Sequence, residues 1–207
     1  MVGQLQRFPL LAILVSTGLL LGGAEAKAGK YNKQLDIGDQ APTIPMQPAV
    51  DGENYGMESF ADADVLVVVF TCNDCPYALD YEDRFIALQK QCAENERLAM
   101  LVINPNAVKS DSLDAMRKRA SDKGFKFPYI KDETGEIAES YGALRTPECF
   151  VLDSKRKVIY MGAFDDSSNP DGVKEKHVTN AISCAWLESP VLLVRADVVL
   201  PLGFLPR

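Results

Sequence analysis

The chain has 207 residues, a quarter of them charged, and a formal net charge of −7 at pH 7. That length holds one ordinary domain with a packed core. An acidic surface whose longest basic run is Arg117-Lys118-Arg119 excludes nucleic acid as an expected partner.

Residues 1–26 read as a targeting segment rather than as part of the fold. Arg7 precedes an apolar run from Leu10 to Leu21, and small residues follow to Ala24-Glu25-Ala26. This is the layout of a cleavable secretory signal, with a mature chain starting near Lys27. The run is too short for a membrane span, which needs roughly 20 apolar residues. Cleavage removes one Arg and one Glu and leaves the charge unchanged. The expected location is therefore periplasmic or extracellular, with no stable membrane insertion afterwards.

Residues 27–35 read as a flexible lead-in. Pro42, Pro45 and Pro48 keep the next stretch extended, and Asp51-Gly52 marks a turn. Val65–Phe70 is an unbroken apolar run, as expected of a central strand covered on both faces. From Pro76 the apolar positions Tyr77, Tyr81, Phe85, Leu88 and Cys92 are spaced by three and four, which predicts one helix with a buried face. Leu98–Ile103 is a second buried strand, ending at Asn104-Pro105. Ser112 is placed to cap a helix that runs to Gly124, with Leu113, Met116 and Ala120 inward and the basic run 117–119 solvated.

A short helix is expected within Asp132–Tyr141, then strands at Cys149–Leu152 and Val158–Met161, then a last helix carrying Val178, Ala181, Ile182, Ala185 and Trp186. The order βαβα followed by ββα predicts an α/β layer architecture. Residues 189–207 form an apolar, proline-containing extension, suited to an added edge strand or a docked partner.

The chemistry concentrates at Cys72-Asn73-Asp74-Cys75-Pro76, where strand gives way to helix. Unpaired N–H groups at a helix N-terminus favour a thiolate, and two cysteines three apart can close a small disulfide. Pro76 suits a first helical turn, where its missing N–H costs nothing. The spacing alone also serves zinc sites and structural disulfides. With one histidine and five cysteines, an evident four-ligand zinc set is lacking, and no metal or other cofactor is expected.

A second segment, Tyr141-Gly142-Ala143-Leu144-Arg145-Thr146-Pro147 followed by an apolar strand, resembles the thioredoxin superfamily. The resemblance covers about residues 36–188. It extends to Ile37-Gly38-Asp39-Gln40-Ala41-Pro42, to Phe70-Thr71-Cys72-Asn73-Asp74-Cys75-Pro76-Tyr77, to Gly124–Tyr129 and to Gly162–Ser167. The nearest likeness is to extracytoplasmic redoxins of the peroxiredoxin-like and thioredoxin-like branch. It implies a thioredoxin-like fold, a mixed central sheet with helices on both faces. It also implies a cis Thr146–Pro147 peptide facing Cys72, and a groove in which Thr146 and Pro147 hold a substrate backbone. Asn73, Asp74 and Pro76 are then the residues that shape and tune the turn.

Two positions depart from the pattern of the similar subgroup. Asp74 stands where histidine is usual, and Gly203-Phe204 stands where that subgroup ends in Gly-Cys. A carboxylate beside Cys72 opposes its thiolate and makes the couple more reducing, by roughly 30 mV per pKa unit. Among the remaining cysteines, Cys92 and Cys149 read as inert core thiols, while Cys184 lies off the buried face of the last helix and is open to exposure. His177, the single histidine, is expected to cap a helix or lie on the surface.

Three functions compete. The first is a thiol–disulfide oxidoreductase, a reductase by the Asp74 argument, in which Cys72 attacks and Cys75 resolves. Its partners would be a protein or small-molecule disulfide and an upstream thiol reductant. The second is a thiol-dependent peroxidase, which conflicts with the spacing of hydroxyl residues before either cysteine. The third is a binding module with a static disulfide, which leaves the Thr146-Pro147 loop without a purpose.

Overall fold

A computed structural model describes residues 32–186 and the two-residue strand Gly203–Phe204. The expected signal at 1–26 and the rest of the 189–207 extension lie outside the described residues. Nine strands and five α-helices are described: β1 Gln47–Pro48, β2 Asn54–Tyr55, β3 Val65–Phe70, α1 Pro76–Asp80, α2 Glu82–Glu94, β4 Leu98–Asn104, α3 Leu113–Lys123, β5 Tyr129–Lys131, α4 Glu136–Tyr141, β6 Arg145–Thr146, β7 Glu148–Leu152, β8 Val158–Gly162, α5 His177–Trp186 and β9 Gly203–Phe204.

The main sheet has the order β5-β4-β3-β7-β8. β3 and β4 run parallel, as do β4 and β5, whereas β3–β7 and β7–β8 are antiparallel. This is the mixed sheet of a thioredoxin-like fold. Every residue of β3 is buried, because the period-2 pleat sends alternate side chains into two cores. Val65, Val67 and Val69 meet Phe85 and Leu88 of α2, Met116 of α3 and Val178 of α5. Leu66, Val68 and Phe70 meet Ile137 and Tyr141 of α4 on the other face, with Ile44 beside them. Burying one such side chain contributes about 1.5–3 kcal/mol, so both faces hold β3 in register.

Several expectations need correction. The single helix after Cys75 is two, broken at Tyr81, which caps both at φ −99°, ψ −7°. Tyr81 turns wholly inward against Phe85 and Phe164, with the Arg84 guanidinium 4.2 Å above its ring. Ala78 rather than Tyr77 is the buried residue of α1. Cys92 is half-buried at the core's edge.

The third parallel strand, β5, has three residues, too few for a recognisable alternation, and it forms because β4 offers a template (Val102 opposite Tyr129). The short helix expected within Asp132–Tyr141 is there, as Glu136–Tyr141, and Asp132 caps it from outside, accepting from the N–H groups of Gly135 and Ala138 at 3.0 and 3.1 Å.

Residues 32–35 of the lead-in are docked rather than flexible. Asn32 donates to the Tyr141 carbonyl at 2.7 Å and accepts from the Gln34 and Leu35 N–H groups. His177 is buried, with its ring stacked over Tyr160 at 6.3 Å, rather than lying on the surface. The Ser112 cap and the Gly124 end of α3 are as expected: Ser112 Oγ accepts from Ala115 N–H and Gly124 takes φ +72°.

Candidate active site

The site follows from the pairing of β3 with β7. Phe70 lies opposite Glu148 in antiparallel register. Continuing that register by two residues past the end of each strand brings Cys72 opposite Thr146. The Cys72 Sγ and Thr146 Oγ1 atoms are 3.4 Å apart. Cys75, the N-cap of α1, points its thiol at the Thr146 carbonyl, 3.7 Å away. The Thr146–Pro147 peptide is cis. One residue, 71 positions downstream of Cys75, thus touches both sulfurs through two different oxygens.

The opposite side of the turn is a buried polar network that the sequence did not disclose. Asp111 is wholly buried and accepts from the Asn73 N–H at 2.6 Å, from Asn104 Nδ2 at 2.7 Å and from Asn106 Nδ2 at 3.1 Å. Tyr129 OH donates to Asn73 Oδ1 at 3.2 Å. Asn73 Nδ2 donates to the Ser110 carbonyl at 2.8 Å. Lys131 Nζ, also buried, holds the carbonyls of Asn104 and Asn106, and burial lowers its pKa. The available signal was positional: Asn104, Asn106 and Asp111 follow the carboxyl end of β4, where parallel sheets place their sites.

The electrostatics overturn part of the sequence reading. Cys72 was expected as the attacking thiol, activated at the helix N-terminus. It lies four residues before α1 and is only 5 % exposed, whereas Cys75 is half-buried. Burial pushes the Cys72 thiol up to about 11. The hydrogen bond with Thr146 and that with the Cys75 backbone pull the other way, while the neighbouring Cys75 and the Asp111 carboxylate add to the rise. Asp74 was expected to supply that opposing charge. It is exposed, and its carboxylate accepts from Ser110 Oγ.

Pro76 opens α1 at its first position, as its geometry dictates. Burial also raises the thiols of Cys92 and Cys149, Cys92 to about 11. Cys184 is half-buried on α5. Behind Cys72 lies a cavity of about 10 Å³, lined by Thr71, Asn73, Glu82, Phe85 and Tyr129, with room for one water at most. Among the described residues, no group of three or more His, Cys, Asp or Glu side chains is placed to hold a metal ion.

A thioredoxin-like sheet with two thiols set against a strand that precedes a cis proline defines a member of the thioredoxin superfamily. Within it, the chain belongs to the AhpC/TSA family, which residues 37–161 match. It is 23 % identical over 157 residues to the thiol-disulfide oxidoreductase ResA of Bacillus cereus, an alignment covering 73 % of this chain and 84 % of that protein.

Among solved structures, a hypothetical protein of Sinorhizobium meliloti is similar with a TM-score of 0.71 and 25 % identity, covering 79 % of this chain and 91 % of the other. A conserved protein of Geobacillus kaustophilus gives 0.70 and 28 %, over 78 % and 87 %.

Proposed function

We propose that this protein is an exported thiol–disulfide oxidoreductase working as a reductase through the Cys72/Cys75 couple. The observation that carries the reading is the convergence of both sulfurs on Thr146. The Thr146 hydroxyl can donate to a Cys72 thiolate, whereas a carbonyl receives only a protonated Cys75 thiol. That asymmetry assigns attack to Cys72 and resolution to Cys75.

The Cys72 thiolate forms a bond to one sulfur of a substrate disulfide, and the other sulfur leaves and takes up a proton. Deprotonated Cys75 then attacks Cys72 Sγ, closing the Cys72–Cys75 disulfide and releasing the second substrate thiol. Two electrons pass to the substrate, and an external thiol reductant returns them. A thiol raised to about 11 stabilises little thiolate in the reduced form, so the couple leans towards donating electrons. The reducing lean rests on burial first, then on Cys75 and the Asp111 carboxylate, and not on Asp74. Export rests on the sequence of residues 1–26. Among the described residues, no helix is long and apolar enough to cross a membrane.

Titration of the couple against glutathione tests this reading. The expected result is one reversible two-electron transition on the reducing side of about −200 mV, with a mixed disulfide trapped on Cys72 in Cys75→Ser. Hydrogen peroxide should be consumed no faster than by an ordinary thiol. Rapid peroxide turnover with a sulfenic acid on Cys72 would replace the reading by a peroxidase. A Cys72–Cys75 disulfide that no dithiol reduces would leave a static module.

A further inference from the structure

Glu148, the residue after Pro147, stands where the pattern calls for an apolar side chain. β7 places Glu148, Phe150 and Leu152 on one face, and the last two are completely buried in the core shared with α4. A carboxylate at the head of that series is costly unless its oxygens are hydrogen-bonded. Glu148 Oε2 accepts from the Leu144 N–H at 2.8 Å and from the Arg145 N–H at 3.1 Å. Burial pushes the carboxyl up from its ordinary value, and those two N–H groups, with the Arg145 charge, pull it back.

The two bonds close a short ring around the residue that meets both sulfurs. Leu144 and Arg145 immediately precede Thr146, and Glu148 follows Pro147. The backbone of Glu148 is paired with Phe70, two residues before Cys72. One residue thus ties the loop to the strand that carries the thiol and shapes the loop with its side chain. Thr146 Oγ1 lies 3.4 Å from Cys72 Sγ, and a drift of about 1 Å would end that hydrogen bond.

We propose that Glu148 is a positioning residue of this site: by gripping the N–H groups of Leu144 and Arg145, its carboxylate keeps the Thr146 hydroxyl on Cys72. The proposal rests on the reading of Cys72 as the attacking thiol that Thr146 tunes. Among the described residues Glu148 bonds to neither sulfur, so its influence on them passes through Thr146.

The test is brief N-ethylmaleimide labelling of the reduced, full-length chain at pH 8, with peptide mapping and the half-buried Cys184 of α5 as internal reference. Glu148→Met keeps the length of the stem and removes the oxygens, so Cys72 should be labelled at least about threefold more slowly. Glu148→Gln keeps an acceptor oxygen and should stay within about twofold of the parent chain. Glu148→Asp retracts the oxygens by one methylene, keeps the charge and should slow labelling as the Met variant does. A urea transition establishes that each variant is folded, and Glu148→Asp decides the matter if Glu148→Met is not.

Thr146→Val supplies the readout that a merely structural residue would not move. Adding Glu148→Met to Thr146→Val should slow Cys72 by less than about twofold further, because the hydroxyl through which Glu148 acts is already gone. Slowing below about threefold in a folded Met or Asp variant, or beyond about twofold in Glu148→Gln, overturns the assignment; so does a further slowing beyond about twofold on top of Thr146→Val. A parent chain that reduces no disulfide would instead sink the enzymatic reading. The labelling series, which needs no turnover, still decides the role of Glu148.

Discussion

The turn bearing Cys72 and Cys75 has two walls, and they differ in chemistry. On one side stands Thr146, a single residue that meets one sulfur with its hydroxyl and the other with its carbonyl. On the other, Asp111 gathers three N–H donors in the interior and fixes the peptide that follows Cys72. The Thr146 wall acts on the reactive atoms. The Asp111 wall acts on the backbone and is sealed by Asn104, Asn106 and Tyr129. The difference teaches that rigidity and reactivity at this turn are supplied from opposite sides. Substitutions on the two walls should therefore fail in different ways.

The largest effect belongs to the sealed wall. Asp111→Ala leaves three buried donors without an acceptor, at a cost of about 3 kcal/mol or more. Urea denaturation should show that loss as a lower midpoint at unchanged slope. A midpoint within 0.5 kcal/mol of the parent chain, a margin typical of surface changes, would mean that the network is not structural.

Next in size is the dependence on pH. Cys72 binds its proton more tightly folded than unfolded, with a folded value of about 11 against an ordinary value near 9. The stabilisation is complete below about 9 and is lost as pH rises through about 11, by up to about 2.7 kcal/mol. The alkylation rate of Cys72 should climb over the same range and level off only near pH 11. A plateau below pH 8 would mean that something other than burial governs the thiol.

A smaller, purely chemical change is expected at the Thr146 wall. Thr146→Val keeps the shape but removes the hydroxyl that favours the thiolate. Cys72 should titrate higher by up to about one unit and be alkylated up to about tenfold more slowly at pH 8, with under about 1 kcal/mol lost in stability. Faster labelling would show the hydroxyl acting as acceptor rather than donor.

The smallest effect is reserved for Asp74→His, despite the place of Asp74 between the cysteines. Its exposed carboxylate is engaged by Ser110, so the labelling rate of Cys72 should change less than about twofold. A tenfold acceleration would put that carboxylate beside the sulfur after all.

These contrasts also mark what the sequence could disclose. The two buried strands were legible because Val65–Phe70 and Leu98–Ile103 are continuous apolar runs. The cysteine pair was legible because its two members lie three apart on one turn. Thr146 and Pro147 entered only through resemblance, since nothing local ties them to residues 71 positions upstream.

The Asp111 network stayed hidden for a related reason. Asn104, Asn106, Asp111 and Tyr129 are ordinary loop and strand residues until the fold brings them together. The break at Tyr81 had no Pro or Gly to announce it; there the Tyr81 ring packs against Phe164, far away in sequence. His177 was misjudged in the same way, since its burial against Tyr160 is a contact between α5 and β8.

The alignment of β3 with β7 carries one more consequence. Cys72 meets Thr146 because Phe70 meets Glu148, and that pairing is one step of a ladder reaching back to Leu66 and Leu152. A slip of one residue would exchange the two cores, sending Cys149 to the face now filled by Phe150. The spacing of the reactive atoms is thus inherited from the middle of the sheet. Its tolerance to heat and denaturant should be that of the whole domain, so catalytic geometry and native structure should melt together.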